Sequence, residues 1–292
     1  MTLPNFIVIG AAKAGTTALY WYLLEHPEVY MSPLKETNFF AYGVDEEGRL
    51  LYGDPELHRF PIKTGEAYTE LFVGAGDARA VGEASPIYLE CPQAAGRIRA
   101  MLPDTRIICG LRDPVDRAYS DYLMYLRNRG RRFEPERDLQ PSARWAQPES
   151  HWMQLGFYHD QLARYDEAFP ARNIHIFLFD ELRAAGAEVV AGIYRFLEVD
   201  ESFTPDFDTP HNVGGIPARM WLERFLTSDS VRRIAEPLIP RRAADWVRSL
   251  RMKNMEKVPP LPAGLRAELA GYFQTDLAKT AGLTGKDLSA WY

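Results

Sequence analysis

The feature that most constrains the fold is a short apolar run that leads into a glycine-containing loop near the start of the chain. Residues 6–9 are all apolar and are followed by Gly10, which is typical of a strand buried on both faces of a parallel sheet. Residues 17–24 then show helical spacing and stop before His26-Pro27, because the residue before a proline disfavours the helical conformation. The order strand, loop, helix predicts an α/β fold.

Further strand and helix patterns alternate along the chain, as in sheets that are covered by helices. We predict further central strands at residues 80–83, 106–111 and 174–179. The spacing of apolar residues predicts helices at residues 92–101, 114–127, 158–169 and 187–197. The predicted fold class is therefore α/β, with a parallel sheet flanked by helices.

Two stretches depart from this alternation. Residues 129–150 are rich in Arg, Glu, Pro and Gln, which indicates a surface excursion of the kind that can form a lid. From Pro217 onward strand-like runs disappear, and helical segments such as residues 220–226 and 244–250 take over. We expect a single domain over residues 1–292, with an α/β core in 1–215 and a helical C-terminal portion in 216–292.

Composition narrows the classes of partner and the compartment. The formal net charge is -6, so a bound anion must be held by a local site, and neither nucleic acid nor a membrane surface is an expected partner. No run approaches the roughly 20 apolar residues that a membrane span needs. Two cysteines without metal-ligand spacing favour a reduced, cytoplasmic compartment. The isolated histidines, at positions 151, 159, 175 and 211, indicate no metal site.

The loop between the first strand and the first helix has the character of a phosphate site. It runs Gly10-Ala-Ala-Lys13-Ala-Gly15-Thr16-Thr17, where backbone amides and the helix dipole favour an anion. Its glycines keep the spacing of a Walker A loop, but Thr16 replaces the usual lysine, and Lys13 precedes Gly15 by two residues. The alternative is a tight connection without a ligand.

The metal-binding half of a Walker site has no clear counterpart. In nucleotide triphosphatases a second acidic residue completes the magnesium site. Here the predicted strand at 106–111 is followed by Arg112 before Asp113, so a cation stands where a metal-binding acid would be expected. The pattern predicts that the bound nucleotide is handled without a metal.

Four segments, in order, resemble sulfotransferases that use 3'-phosphoadenosine 5'-phosphosulfate (PAPS), especially the heparan-sulfate type and its bacterial relatives. The Lys13 loop resembles the family's 5'-phosphosulfate loop, and residues 35–40, Lys-Glu-Thr-Asn-Phe-Phe, resemble its glutamate followed by paired aromatics. Residues 111–122, Leu-Arg-Asp-Pro-Val-Asp-Arg-Ala-Tyr-Ser-Asp-Tyr, resemble its 3'-phosphate motif, and Gly156-Phe-Tyr158 resembles a later segment. The resemblance covers roughly residues 5–215 and implies a P-loop-like fold.

The resemblance implies which residues hold the donor. The 5'-phosphosulfate would be bound by the Lys13 side chain and by the amides of Ala14, Gly15, Thr16 and Thr17. Arg112 and Ser120 would hold the 3'-phosphate, to which arginine offers a planar fork of donors. The alternative for Arg112 is an ion pair with Asp113 or Asp116, and for Ser120 a bond back to its own helix.

The resemblance also implies catalytic roles. Lys13 would stabilise charge on the leaving phosphate, and Glu36 would act as general base toward the acceptor. We expect Phe39 and Phe40 to anchor the loop against the core and so to hold Glu36 in one place. The alternative for Glu36, which follows Lys35 in the sequence, is a solvated loop charge.

Departures from the heparan-type pattern leave the acceptor open between a small molecule and a glycan, and between a hydroxyl and an amine. Ala84 replaces a family lysine, and Met124 lies where some members have a histidine. The loop at 209–217 lacks the Lys-Gly-Arg arrangement of the animal enzymes, which favours the bacterial branch. Glu83 and Tyr88 would line the acceptor pocket or, equally, form a buried network at a strand end.

Two other functions fit parts of the pattern. A magnesium-dependent small-molecule kinase would share the strand, loop and helix but use ATP. A non-catalytic module would bind PAPS or its product, 3'-phosphoadenosine 5'-phosphate (PAP), without chemistry. The sequence carries no motif that sets the oligomeric state.

Overall fold

A computed structural model describes residues 2–46, 49–53, 58–209, 216–217, 254–256 and 258–292. The chain divides into two compact units. The first comprises Met1–Asp113, Phe157–His211 and Phe273–Tyr292, and the second comprises Pro114–Gly156 and Asn212–Tyr272. These bounds differ from the expected division after residue 215, and the organisation as a single domain stays a prediction.

The first unit is built on a five-stranded sheet in the order β2-β3-β1-β4-β5, in which all four pairings are parallel. The strands are β1 (Phe6–Gly10), β2 (Val29–Met31), β3 (Ala80–Ala84), β4 (Arg106–Leu111) and β5 (Ile174–Leu178). Every residue of β1 is buried, as expected for a central strand covered on both faces. The predicted α/β class and parallel sheet are confirmed.

The helices, numbered in chain order among the described residues, are α1 (Thr16–Glu25), α2 (Gly65–Glu70), α3 (Ile87–Glu90), α4 (Ala94–Met101), α5 (Pro114–Asn128), α6 (Pro135–Asp138), α7 (His151–Gln154), α8 (Tyr158–Ala168), α9 (Phe179–Ala184), α10 (Gly186–Leu197) and α11 (Ala263–Thr284). Five of them, α1, α4, α5, α8 and α10, match predicted helices to within two residues at each end. Their apolar spacing was therefore a sufficient signal.

The core of the first unit lies between the sheet and the helices α1 and α10. Phe6 and Leu19 are fully buried, as is Ile193 of α10. Packing is close enough that a Cβ on Gly82 of β3 would lie 2.4 Å from Cζ of Phe6. Burying a side chain of this size stabilises a fold by about 1.5–3 kcal/mol. This packing fixes β1, and with it the loop that follows.

The structure corrects two predictions about the ends of strands and the C-terminal portion. Phe179 starts α9 and does not belong to β5, because the Glu181 carboxylate accepts the Leu178 N–H at 2.9 Å and thereby begins the helix. A two-residue antiparallel ladder joins Ile216–Pro217 to Met255–Glu256, where only helices were expected. The helical segments predicted at residues 220–226 and 244–250 lie outside the described residues.

Most of residues 129–150 are exposed, as expected of a surface excursion, but the segment also contributes core residues to the second unit, which was not expected. Trp145 is fully buried and stacks on Tyr122 with ring centroids 5.9 Å apart. Its indole N–H donates to the carbonyl of Asp138, also buried, at 2.8 Å. The segment therefore supplies core to its own unit, because one large aromatic outweighs the polar residues around it.

Candidate functional site

The predicted site residues of the first unit gather at the carboxyl edge of its sheet. Because all strands are parallel, the loops that follow β1, β3 and β4 leave from the same edge. The chain passes from β1 toward β2 on one side and from β4 to β5 on the other, so the strand order reverses between β1 and β4. Ligands of open α/β sheets bind in the crevice at such a switch point.

The loop after β1 is held against β4 by its backbone. The Ala11 N–H donates to the Gly110 carbonyl at 2.7 Å, and the Ala14 N–H turns back to the Ala11 carbonyl at 3.1 Å. Lys13 and Gly15 adopt positive φ angles of 70° and 84°, and α1 begins directly afterwards. A Cβ on Gly15 would lie 2.9 Å from Cδ2 of Leu182, so both conformation and space require glycine here.

The start of α1 supplies amide donors to the same place. The first N–H groups of a helix have no acceptor within the helix, and the helix dipole adds positive potential there. The cap residue Gly15 offers no side chain to these amides, and the first turn contains no acidic residue. Thr16 is buried and Thr17 is half-buried. The local arrangement suits an anion.

Arg112, which directly follows β4, lies beside this loop. Its guanidinium donates to the Lys13 carbonyl at 3.0 Å and sits 4.7 Å from the ring centroid of Phe179. The Tyr158 hydroxyl donates to the Arg112 carbonyl at 2.8 Å. Phe179 was not predicted as a partner, because its place at the end of an apolar run indicated a strand.

Other parts of the predicted site lie outside the first unit or outside the described residues. Ser120 lies half-buried in α5, which belongs to the second unit, and its role toward a 3'-phosphate stays a prediction. Asp116, one predicted alternative partner for Arg112, pairs with Arg266 at 2.5 Å within that second unit. The glycines at 214 and 215 and His211 lie outside the described residues.

Glu36 lies on a loop that is bonded to the end of β3. Its N–H donates to the Ala84 carbonyl at 3.0 Å, and its φ angle is 62°. The side chain is 52% exposed, and Oε1 lies 2.5 Å from Nζ of Lys35. A non-glycine residue in the left-handed region costs about 1–3 kcal/mol and persists only where its surroundings impose it. The Glu36 backbone is thus fixed while its carboxylate reaches solvent.

The aromatic pair that follows Glu36 anchors the loop, as expected. Phe39 stacks on Tyr68 of α2 with ring centroids 4.5 Å apart and planes inclined by 16°. Phe40 is 2% exposed and meets Tyr88 edge to face at 5.6 Å. Such aromatic contacts each add about 0.5–1.5 kcal/mol beyond burial.

Glu83 and Tyr88 lie beneath this loop in a buried polar network. Both are fully buried, and the Glu83 carboxyl contacts four hydroxyl groups. Burial raises the pKa of Glu83, against the opposing effect of those hydrogen bonds. Burial likewise raises the pKa of Tyr88 well above its usual value. The contacts of Glu83 and Tyr88 are those of the buried network that was the alternative prediction. Contact of either side chain with an acceptor stays a prediction.

Three members of that network were not predicted: Thr37, Tyr68 and Ser85. Thr37 directly follows Glu36, and Ser85 follows Glu83 by two residues, so adjacency to predicted site residues was the available signal. Nothing in a single sequence pairs residues that lie 46 positions apart, as Thr37 and Glu83 do.

The chain is similar to known proteins over most of its length. Residues 4–205 match the family described as "Sulfotransferase family". The chain is 30% identical to the sulfotransferase from Alicyclobacillus acidocaldarius, whose crystal structure superposes with a TM-score of 0.70 over 100% of this chain and 99% of that one. The predicted P-loop-like fold is thereby confirmed.

Three curated relatives match smaller parts of longer proteins. The membrane-associated sulfotransferase kil1 of Dictyostelium discoideum is 35% identical over 42% of this chain and 23% of its own length. The mouse bifunctional heparan sulfate N-deacetylase/N-sulfotransferase 4 is 26% identical over 99% of this chain and 31% of its own length. The human heparan sulfate glucosamine 3-O-sulfotransferase 3B1 is 29% identical over 69% and 48%.

These relatives come from a bacterium, an amoeba and mammals. The bacterial source and the cytoplasmic compartment of this chain therefore stay predictions. Among the described residues, no helix combines the length and the apolar character that crossing a membrane requires. The family match extends over more than half of the chain and includes the glycine loop, Glu36 and Arg112. The chain therefore belongs to the sulfotransferase family.

Proposed function

We propose that this chain transfers a sulfuryl group from PAPS to a hydroxyl or amine of a small molecule or glycan and releases PAP. The observation that carries the proposal is the contact between Arg112 and the Lys13 carbonyl, which joins a cation to the glycine loop at the edge of the sheet. A glycan acceptor is supported by the names of two relatives, which act on heparan sulfate.

The donor groups at this edge fit a nucleotide that is anionic at both ends. Lys13 and the amides of Gly15, Thr16 and Thr17 would hold the 5'-phosphosulfate. The Ala14 amide, a further predicted donor, already has an acceptor in the Ala11 carbonyl. The Arg112 guanidinium, packed on Phe179, would hold the 3'-phosphate, and Ser120 would add a hydroxyl donor. Hydrogen bonds between charged partners of this kind contribute about 1.5–3 kcal/mol each.

When bound, the donor supplies a sulfuryl group attached to a phosphate that can leave. Lys13 would stabilise the negative charge that develops on the leaving phosphate oxygen as the sulfur–oxygen bond breaks. Glu36 would accept the proton of the attacking hydroxyl or amine as the new bond to sulfur forms. Because Oε1 of Glu36 lies 2.5 Å from Nζ of Lys35, the second carboxylate oxygen would be the one that accepts this proton.

We expect this chemistry to need no metal ion. The residue that follows β4, the strand beside the glycine loop, is Arg112, so a fixed positive charge lies where a magnesium ligand would stand in a nucleotide triphosphatase. A fixed cation can compensate the phosphate charge directly.

Calorimetric titration tests the nucleotide assignment. PAP titrated into the wild-type protein with a metal chelator present should release heat, and the bound protein should unfold at a higher temperature. Mg-ATP titrated in the same way should give no comparable response. The reverse pattern, a response to Mg-ATP and none to PAP, would indicate a kinase and contradict the proposal.

A further inference from the structure

A cluster of hydroxyl groups surrounds the buried Glu83 carboxyl. Oε2 of Glu83 lies 3.0 Å from the Thr37 hydroxyl and 2.6 Å from the Ser85 hydroxyl. Oε1 lies 3.2 Å from the Tyr68 hydroxyl and 2.8 Å from the Tyr88 hydroxyl. The Thr37 and Tyr88 hydroxyls also contact each other at 2.9 Å. We call these five residues the Glu83 cluster.

The number of protons available in the Glu83 cluster favours an un-ionised Glu83 carboxyl. The five oxygen–oxygen contacts each need one proton, and the four hydroxyls supply four. The amides of Phe39 and Phe40 donate into the Thr37 and Tyr88 oxygens at 3.4 Å, so those hydroxyls keep their own protons for other acceptors. An un-ionised carboxyl provides the fifth proton. Thr37, Tyr88 and Glu83 then form a closed ring of hydrogen bonds.

The surroundings of Glu83 favour the un-ionised form. The carboxyl is fully buried, and burial disfavours its charge. Among the described residues, the titratable groups that hydrogen-bond to it are Tyr68 of α2 and Tyr88 of α3, and Tyr165 of α8 lies beyond them. The Tyr165 hydroxyl donates to the Tyr88 carbonyl at 2.7 Å and so helps to hold Tyr88 in place within the ring of hydrogen bonds. Tyrosine pKa values are raised throughout this region by burial, so these neighbours stay neutral.

The Glu83 cluster is bonded step by step to the loop that carries Glu36. The Glu36 N–H donates to the Ala84 carbonyl at 3.0 Å. The Thr37 hydroxyl, one residue on, contacts the Glu83 carboxyl at 3.0 Å. The Asn38 N–H donates to the Ser85 hydroxyl at 3.1 Å. Three successive loop residues are therefore tied to the end of β3 and the residue after it.

We propose that Glu83 is a positioning residue whose un-ionised carboxyl closes the Glu83 cluster and thereby fixes the loop that carries Glu36. The catalytic part of this inference rests on the proposed function. Loop fixation and the protonation of Glu83 do not depend on it. An ionised carboxylate would still accept from all four hydroxyls, but it would leave the contact between the Thr37 and Tyr88 hydroxyls without a proton and so open the ring.

Substitutions separate positioning from general structural support. Glu83→Gln keeps a neutral group that both donates and accepts, so it should retain kcat to within a few-fold. Thr37→Val removes the link between loop and carboxyl and should lower kcat by about 10- to 100-fold, as small misplacements of catalytic groups do. The Kd for PAP and the KM for PAPS should stay unchanged in both variants.

A matched control is available in Thr105→Val. Thr105 is 2% exposed, and its hydroxyl has no hydrogen-bond partner in the described part of the chain. The same chemical change at that position should leave kcat and loop order as they are.

Infrared difference spectra between wild type and Glu83→Gln should show the carbonyl stretch of a protonated carboxylic acid at neutral pH.

Hydrogen exchange gives a readout that needs no activity. Amides of residues 36–40 should exchange faster in Thr37→Val than in the wild type, and at the wild-type rate in Thr105→Val and Glu83→Gln. Unchanged exchange in Thr37→Val, absence of the protonated-acid band, or loss of kcat in Glu83→Gln as severe as in Glu83→Ala would each overturn the inference. If the wild type transfers no sulfuryl group, the proposed function fails, and exchange and infrared spectra still decide the role of Glu83.

Discussion

The loop that would hold the donor and the loop that carries Glu36 leave the same edge of the sheet but are stabilised in different ways. The glycine loop is shaped by backbone bonds, by Gly15 and by the partly exposed Arg112. The Glu36 loop is held from below by buried hydroxyls and stacked aromatics. A nucleotide brings its own charge and needs donors that can reach it, whereas a general base must already be in place before its acceptor arrives.

Glu36→Gln should have the largest effect, and it should lower turnover without changing nucleotide binding by the glycine loop. Loss of a positioned general base lowers turnover by about 10²- to 10⁴-fold. The Kd for PAP should not change, because Glu36 is assigned no contact with the nucleotide. Transfer rates and calorimetry check this, with Glu66→Gln, an exposed change on α2, as the control. Weaker PAP binding in Glu36→Gln would show that the two loops are not separate in function.

Arg112→Ala should weaken nucleotide binding beside the glycine loop. Removing a charge-assisted contact to phosphate costs about 1.5–3 kcal/mol of binding free energy, so the Kd for PAP should rise correspondingly. Calorimetric titration measures it. Arg79→Ala is the matched control, since Arg79 is 62% exposed and pairs with Glu28 before the amino end of β3. Equal PAP affinity in wild type and Arg112→Ala would contradict the assignment of the 3'-phosphate site.

Gly15→Ala should weaken the backbone basis of the glycine loop. Its φ of 84° costs an L-residue about 1–2 kcal/mol, and the new Cβ would lie 2.9 Å from Leu182. Denaturant unfolding should show this loss of stability. Gly96→Ala in α4 is the control: its Cβ meets nothing within 4 Å, so the change should be neutral or stabilising. Similar losses in both variants would show that the loop conformation has no special role.

Glu83→Gln should change how stability depends on pH. Burial raises the pKa of Glu83 above its ordinary 4.5. The native advantage of the neutral acid is therefore complete below pH 4.5 and is lost as pH rises through the native pKa. Between those values wild type should lose up to about 1.4 kcal/mol per pH unit relative to the variant. Denaturant unfolding of both proteins over a pH series checks this, and a constant difference would contradict it.

Periodicity was enough to predict the strands β1 and β4, which precede the glycine loop and Arg112. β4 has the predicted bounds, and β1 extends one residue further than predicted. Both could be predicted because a continuous apolar run is typical of a buried strand. The strand β2 was missed, since its three residues follow a helix too closely to show a period. Its place is set by pairing with β3, which is a tertiary effect.

The support of Glu36 could be predicted only in part. The paired phenylalanines indicated an anchor, and Phe39 and Phe40 provide one. The hydroxyls of the Glu83 cluster come from loop, helix and strand end, and only the fold brings them together. Trp145 shows the same limit, because its burial within a polar segment depends on partners such as Tyr122.

The most direct test of the account is transfer of labelled sulfate from PAPS to a panel of hydroxyl and amine acceptors that includes glycans, with a metal chelator present. The wild type should transfer label and release PAP, while Glu36→Gln should bind PAP equally well and transfer almost none. If the wild type binds PAP but labels no acceptor, or if Glu36→Gln transfers label at the wild-type rate, the proposed catalytic site is wrong.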